Sequence, residues 1–179
     1  DYLLTPRELA LLLKEENIDI TKLKATKFDS PLGTGSGAGV IFGSTGGVCE
    51  AALRTAYYFI TGKNLKKEEL NFNSVRGMNG IKETEIDIDG KIIKVAVCNG
   101  MKNAKELIDK LLNKEVEYHF IEVMNCLGGC IAGGGQPKIT LLNMSETKSG
   151  RMNSLYTEDE KMTLRLCHKN PEIKSIYNF

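Results

Sequence analysis

Two cysteines four residues apart are the side chains of this sequence best suited to bind a metal. Cys126 and Cys130 lie in "EVMNCLGGCIAGGGQPK" (122–138), which also contains three consecutive glycines. In a helix, residues four apart lie on one face about 5–6 Å from each other, so both thiolates would point to the same side. Thiolates are ligands of zinc and of iron–sulfur clusters. The spacing indicates a metal centre, and it is also compatible with two free, buried cysteines.

The other potential ligands favour an iron–sulfur cluster over zinc. Zinc sites usually place two residues between paired cysteines and take two more ligands from elsewhere. The only histidines, His119 and His168, stand at no such spacing. Glycine backbone around the cysteines would approach a cluster closely and donate N–H groups to its sulfides. This pair still supplies only two of the four ligands that a cubane needs.

Size, charge and cysteine count exclude several classes of function. The chain has 179 residues and a net charge of +1, with no long basic segment, which argues against a nucleic-acid surface. No apolar run approaches the roughly 18 residues of a membrane span. Five cysteines are an odd number, which predicts a reducing compartment, the cytoplasm, rather than a disulfide framework. Because the first residue is Asp1 rather than methionine, we expect a piece of a longer protein.

The elements around the cysteines predict the α/β class, a mixed β-sheet with packed helices. Thr5 begins the first helix with a capping box, and the short apolar run 40–43 predicts a buried strand. Apolar and polar residues alternate on both sides of Asp89-Gly90, which predicts a hairpin. Strand, helix and strand between Val95 and Val123 predict a right-handed βαβ unit with parallel strands.

The segment "GSTGG" (43–47) offers a second kind of site. It is predicted to join a strand to a helix, so an anion could bind at that helix N-terminus. It lacks the Gly-Lys-Ser/Thr ending of a nucleotide-binding loop. An anion site here remains the alternative to a purely structural loop.

The full string around the cysteines resembles the third cluster-binding motif of the iron-only ([FeFe]) hydrogenases. That motif reads Glu-x-Met-x-Cys-x-x-Gly-Cys-x-x-Gly-Gly-Gly-Gln-Pro, and each of its fixed positions is met here. The segments "GAGVIFGSTGGVCEAALRTAY" (37–57), "DYLLTPRELALLLKE" and "RMNSLYTEDEKMTLRLCHKNPEIKSIY" are similar to other parts of the same family. The resemblance implies that residues 1–179 are the C-terminal lobe of a two-lobed catalytic domain.

The resemblance also implies the chemistry. Members of the family are oxidoreductases that interconvert protons, electrons and dihydrogen at a [4Fe–4S] cubane linked to a two-iron site with CO, cyanide and dithiolate ligands. On this pattern Cys126 and Cys130 bind metal, and the Cys130 sulfur bridges the cubane and the two-iron site. Met124 packs against the two-iron site. The implied pocket-lining residues are Phe42, Gly43, Val48, Gly133 and Gly134.

Two further family motifs, Thr-Ser-Cys-Cys-Pro and Met-Pro-Cys, do not occur in this sequence. We therefore expect an N-terminal lobe of the same protein to complete the site, and the isolated fragment to be inactive. The implied electron partner is a ferredoxin or an NAD(P)H-linked subunit. The alternative is a hydrogen sensor or an iron–sulfur assembly protein without turnover. Cys49, where the family commonly has methionine, is interpreted as a core substitution, and a thiol that modulates the cluster is its alternative.

Overall fold

A three-stranded mixed sheet forms the centre of the chain in a computed structural model that describes residues 2–29, 32–78 and 80–177. Strands β1 (Ile81–Ile88) and β2 (Lys91–Asn99) are antiparallel, and β2 is parallel to β3 (Phe120–Met124). Asp89 and Gly90, with φ values of 55° and 80°, form the two-residue turn of the hairpin. Positive φ at both turn positions matches the right-handed twist of the strands. The predicted hairpin and mixed sheet are confirmed.

Helices cover both faces of the sheet. Helix α4 (Met101–Leu112) connects β2 to β3 and completes the predicted βαβ unit. Helix α3 (Gly47–Thr61) covers the opposite face and ends at Gly62 in a left-handed conformation. Because successive strand residues point to opposite faces, β2 is buried on both sides. On the α3 face Cys49 and Leu53 pack against Val75, Val95 and Val97, and on the α4 face Ala104 and Leu107 pack against Ala96 and Cys98.

The prediction of a strand at 40–43 is wrong. Helix α2 (Gly37–Val40) occupies its first residue, and a 3-10 turn, Ile41–Gly43, occupies the rest. The Ser36 hydroxyl accepts a hydrogen bond from the Gly39 amide and so caps α2. A run of four apolar residues is too short for its periodicity to distinguish a buried helix from a buried strand. The helix cap that precedes the run therefore determines its conformation.

The remaining helices lie at the ends of the chain. Helix α1 (Pro6–Glu15) has the predicted Thr5–Glu8 capping box, and none of its residues is buried. Helix α5 (Met144–Lys161) packs against α2, and α6 (Pro171–Tyr177) follows. Within the three described ranges the helices lack the combination of length and apolar composition that a membrane span requires.

A buried ion-pair network joins α3 to α5. The Arg54 guanidinium is fully buried and donates to both carboxylate oxygens of Asp159, at 2.9 and 2.8 Å, and to Glu50 at 2.8 Å. Burial alone would raise the pKa of Asp159, but hydrogen bonds from Arg54 and Arg165 hold it below its ordinary value. A buried charge without its partner is strongly unfavourable, so these pairs fix the position of α5.

Candidate metal centre

The cysteine loop, residues 125–137, follows β3 directly and lies at the carboxyl end of the two parallel strands. The Gly100 amide donates to the Met124 carbonyl at 2.7 Å, which holds the ends of β2 and β3 together. In open α/β sheets this edge is where ligands bind. The fold therefore places both cysteines at the edge of the sheet that suits a binding site.

The two cysteines do not lie on a helical turn. The Gly129 amide donates to the Cys126 carbonyl at 2.9 Å and closes a turn, and Cys130 begins a 3-10 segment, Cys130–Ala132. Gly128 and Gly129 have φ values of 100° and 93°. Two consecutive left-handed residues end any helix, so the helical geometry expected from the spacing is wrong. The chain instead reverses between the two thiols.

Both thiols remain accessible, and the backbone beside them is bare. Cys126 is half-buried and Cys130 is exposed. A Cβ atom added to Gly133 would lie 3.9 Å from the Cys126 sulfur, so glycine backbone approaches this thiol closely. Two accessible soft donors beside bare backbone fit an iron–sulfur cluster. Neither cysteine is enclosed in the apolar core, as the alternative of free, buried cysteines requires.

A second loop, residues 41–48, meets the cysteine loop at Gly129. A Cβ atom on Gly129 would lie 2.7 Å from the Thr45 nitrogen, 2.9 Å from the Gly43 oxygen and 3.0 Å from the Met124 sulfur. The Thr45 amide also donates to the Gly128 carbonyl at 3.1 Å. Only glycine allows this approach, because any side chain would push the two loops apart.

Two of the residues expected to line the pocket, Phe42 and Gly43, lie at this meeting point. Gly43 and Met124 both contact Gly129, and the Ile41–Gly43 turn that carries Phe42 packs against Cys130–Ala132. Phe42 is 43% exposed at this surface. Val48 is half-buried on the first turn of α3, and Gly134 is exposed in the cysteine loop.

The N-terminus of α3 is occupied by a carboxylate that sequence reasoning missed. Glu122 of β3 is 4% exposed and accepts hydrogen bonds from the Gly46 amide at 2.6 Å and the Cys49 amide at 2.8 Å. Alternation along β3 places Glu122 and Met124 on one face, toward α3. The protein's own carboxylate thus fills the position proposed for an anion at "GSTGG" (43–47). The signal available in the sequence was the period-two pattern of β3 that places an acidic residue on the covered face.

Cys49 and Lys82 lie close to Glu122. Cys49 is fully buried in the core, as its interpretation as a core substitution predicts. Burial, followed by the negative charge of Glu122, raises the pKa of Cys49 to about 12, so this thiol stays protonated at neutral pH. Burial lowers the pKa of Lys82 to about 8, although the nearby Glu122 charge opposes that shift. Lys82, Val97 and Glu122 stand in one row across the sheet.

The histidines take structural positions. The His119 ring accepts the Lys94 amide next to β3, and His168 is buried, stacked on Tyr58 with ring centroids 4.5 Å apart. The two ring nitrogens of His168 contact Thr55 and Asn64. Among the described residues, no three or more His, Cys, Asp or Glu side chains are grouped to hold a metal ion.

Family models match nearly the whole chain. Residues 1–134 match the model "Iron only hydrogenase large subunit, C-terminal domain", and residues 145–179 match "Iron hydrogenase small subunit". The chain is 42% identical to iron hydrogenase 1 of Clostridium pasteurianum over 99% of this chain and 31% of that protein. It is 45% identical to an NADP-reducing hydrogenase subunit of Solidesulfovibrio fructosivorans over 99% of this chain and 29% of that protein.

Other relatives and a solved structure agree with these matches. A periplasmic [Fe] hydrogenase large subunit of Nitratidesulfovibrio vulgaris is 49% identical over 76% of this chain and 32% of that protein. Proteins named for cytosolic iron–sulfur assembly match at lower identity, for example 30% over 77% of this chain and 29% of that protein for a component from Mus musculus. The apo [FeFe]-hydrogenase of Chlamydomonas reinhardtii aligns with a TM-score of 0.66 and 41% identity, over 96% of this chain and 48% of that one. The chain thus spans about a third of the length of the curated relatives described here.

Proposed function

The chain belongs to the iron-only hydrogenase large-subunit family, and from this membership we propose that it is the C-terminal lobe, residues 1–179, of an enzyme that interconverts protons, electrons and dihydrogen. The observation that carries the proposal is the pair of accessible thiols, Cys126 and Cys130, at the carboxyl edge of the sheet beside glycine backbone. Such a pair supplies half of the four ligands of a cubane. The other ligands come from an N-terminal lobe of the same protein.

Each predicted site residue has a role in this proposal. Cys126 would hold the cubane, and Cys130, the more exposed of the two, would be a ligand of both the cubane and the two-iron unit. When bound, these groups would supply the metal site at which hydrogen is formed or split and would pass electrons from the donor or to the acceptor. Met124 and Gly43 both pack closely against Gly129 and would form one wall of the pocket. Phe42, Val48, Gly133 and Gly134 line its edge.

The fixed approach of the two loops explains how the chain positions these groups. Gly129 packs against backbone of residues 43–45, and Glu122 holds the start of α3 through two amides. The loop that carries Phe42 and the loop that carries Cys130 are therefore tied to one strand, β3. This arrangement presets the pocket before any cofactor binds.

The proposed electron partner is supported by the name of one relative, and the proposed compartment by the cysteine count. The name of the Solidesulfovibrio fructosivorans subunit, an NADP-reducing hydrogenase, supports an NAD(P)H-linked electron-transfer subunit, and a ferredoxin is the other partner that we propose. We place the protein in the cytoplasm because its odd cysteine count suits a reducing compartment. The periplasmic relative shows that the family is not confined to the cytoplasm.

A hydrogen sensor or an iron–sulfur assembly protein is the second candidate. The relatives named for iron–sulfur assembly favour it, but their identities of 28 to 31% are lower than the 42 to 49% of the named hydrogenases. Met124, the glycine triplet and Gln136-Pro137 are all retained in this chain, which favours the enzyme.

The test compares the chain alone with the full-length protein that contains it. We expect the full-length protein to bind iron and acid-labile sulfide and to evolve hydrogen from a reduced donor. The Cys126→Ala and Cys130→Ala variants should lose this activity, whereas Cys167→Ala, a half-buried thiol far along the sequence, should keep it. The isolated chain should show no turnover, because two thiolates leave the cubane incomplete.

Three results would contradict parts of this proposal. Hydrogen evolution by the isolated chain would show that no second lobe is needed. Full activity in Cys130→Ala would remove the thiol from the site. A full-length protein that binds the cluster without turnover would favour the sensor or assembly function.

A further inference from the structure

Three cationic side chains hold the outer side of the cysteine loop. Arg7 of α1 donates to the Gly134 carbonyl at 2.8 Å, and Lys148 of α5 donates to the Leu127 carbonyl at 3.2 Å. Arg151, also on α5, donates to two carbonyls of the loop. These contacts are charge-assisted, which makes them stronger than hydrogen bonds between neutral groups.

The Arg151 guanidinium spans the glycine triplet. One of its nitrogens donates to the Ile131 carbonyl at 2.7 Å, and the other donates to the Pro137 carbonyl at 3.0 Å. Gly133–Gly135 lie between these two points. Glycine loses more conformational freedom on ordering than any other residue, so a segment of three glycines orders only if its ends are held. The planar fork of arginine suits this task, because its donors are fixed relative to each other.

One cleft beside the cysteine loop has a basic lining. A cleft of about 430 Å³ beside the loop is lined by the four basic residues Arg7, Lys138, Lys148 and Arg151, and no acidic residue is among its described lining. The side chains of Arg7, Lys148 and Arg151 meet carbonyl oxygens, which neutralise none of their formal charge. Positively charged side chains therefore lie beside the loop that carries the two thiols.

We propose that Arg151, supported by Lys148 and Arg7, is a positioning residue that orders the cysteine loop for cluster binding and stabilises the negative charge of the bound cluster. The stabilisation of the cluster's charge rests on the proposed function. A cubane with thiolate ligands is anionic, and nearby positive charge favours its reduced, more negative state. The first part concerns the chain's own backbone and holds with or without a cluster.

The test uses two substitutions of Arg151 and a matched control. Arg151→Lys keeps the charge and loses the fork, and Arg151→Gln loses both. Lys161→Gln removes a positive charge from the same helix, at an exposed position where Lys161 pairs with Glu158 at 3.9 Å. The readouts are amide hydrogen exchange in the 179-residue chain and the midpoint potential of the cubane in the full-length protein.

We expect the amides of Ala132, Gly133 and Gln136, which are hydrogen-bonded within the loop, to exchange at least about tenfold faster in both Arg151 variants. The amides of β2 should keep their protection and so report an intact fold. The cubane potential should become more negative in Arg151→Gln and stay closer to the wild-type value in Arg151→Lys. Lys161→Gln should change neither readout by as much.

Loop amides that exchange at the wild-type rate in both Arg151 variants would overturn the positioning role. A potential that Lys161→Gln shifts as much as Arg151→Gln does would overturn the electrostatic role. A full-length protein without any cluster would contradict the proposed function instead, and the exchange comparison would still decide the role of Arg151.

Discussion

Replacement of Glu122 by glutamine tests whether one buried carboxylate holds β3 to the start of α3. Glu122 accepts two backbone amides, at 2.6 and 2.8 Å, and is 4% exposed, so water cannot replace either partner. Glutamine has nearly the same shape, with one acceptor oxygen and one donor nitrogen. The substitution therefore removes the charge and one acceptor without creating a large cavity.

The expected loss of stability follows from these two contacts. A hydrogen bond to a charged group contributes about 1.5–3 kcal/mol, and a buried amide left without an acceptor costs about 1–3 kcal/mol. In Glu122→Gln one of the two bonds becomes neutral, and the other amide faces the side-chain NH2 group. The loss of negative charge at the α3 N-terminus adds about 0.3–1 kcal/mol. We expect a total decrease of about 2–4 kcal/mol in the free energy of unfolding.

Urea denaturation followed by circular dichroism measures this change, with Glu117→Gln as the matched control. Glu117 is exposed and lies shortly before β3, so its neutralisation should change stability by less than about 0.5 kcal/mol. The pKa of Lys82 gives a second readout. Burial lowers the pKa of Lys82 to about 8, and the negative charge of Glu122 opposes that decrease. The pKa of Lys82 should therefore fall further in Glu122→Gln. Equal stability of Glu122→Gln and Glu117→Gln would refute the role assigned to the carboxylate.

Three other expectations follow from the structure. Burial lowers the pKa of His168, so unfolding becomes easier as the pH falls below the unfolded value of about 6.5, and His168→Gln should flatten that dependence in urea titrations at different pH values. Arg54→Met should destabilise the chain by about 3–5 kcal/mol in thermal or urea unfolding, whereas Lys105→Met, which removes an exposed helix pair, should leave the stability nearly unchanged. Gly129→Ala should lower the free energy of unfolding by about 2–4 kcal/mol and separate the two loops, because the added Cβ would lie 2.7 Å from backbone. Gly134→Ala, with open space around it, should be nearly neutral. A similar stability of the two alanine variants would contradict the close approach.

Local sequence patterns were sufficient to predict the hairpin and the βαβ unit. Asp89-Gly90 adopts the positive φ values of a two-residue turn, and the alternation on either side sets which residues face α3 and which face α4. The run 40–43 failed as a strand because its apolar residues have no period of their own. The cap that makes it helical, Ser36, lies in a glycine-rich segment that looked like a loop.

The motif predicts which residues form the site, but the local sequence did not predict the geometry of the loop that carries them. The motif identified Cys126 and Cys130, but their spacing suggested a helix that two left-handed glycines exclude. Glu122 was missed because its partners, Gly46 and Cys49, lie 76 and 73 residues away in sequence. Contacts at such separations depend on the packing of α3 against the sheet, which no local pattern determines.

The two sides of the cysteine loop have separate partners, and this division explains why the loop needs its glycines. Cations of α1 and α5 hold the outer carbonyls, and Gly129 presses the inner side against residues 43–45. A loop held on both sides has no room for side chains where it touches backbone, so Gly129 is required by packing and Gly128 by its left-handed turn. The thiols are then the only side chains of the Cys126–Cys130 segment, apart from Leu127, that reach beyond the backbone, and Leu127 lies against Gly100 at the end of β2. The loop therefore leaves both thiols accessible beside bare backbone, and soft thiolates are the donors that an iron–sulfur cluster takes.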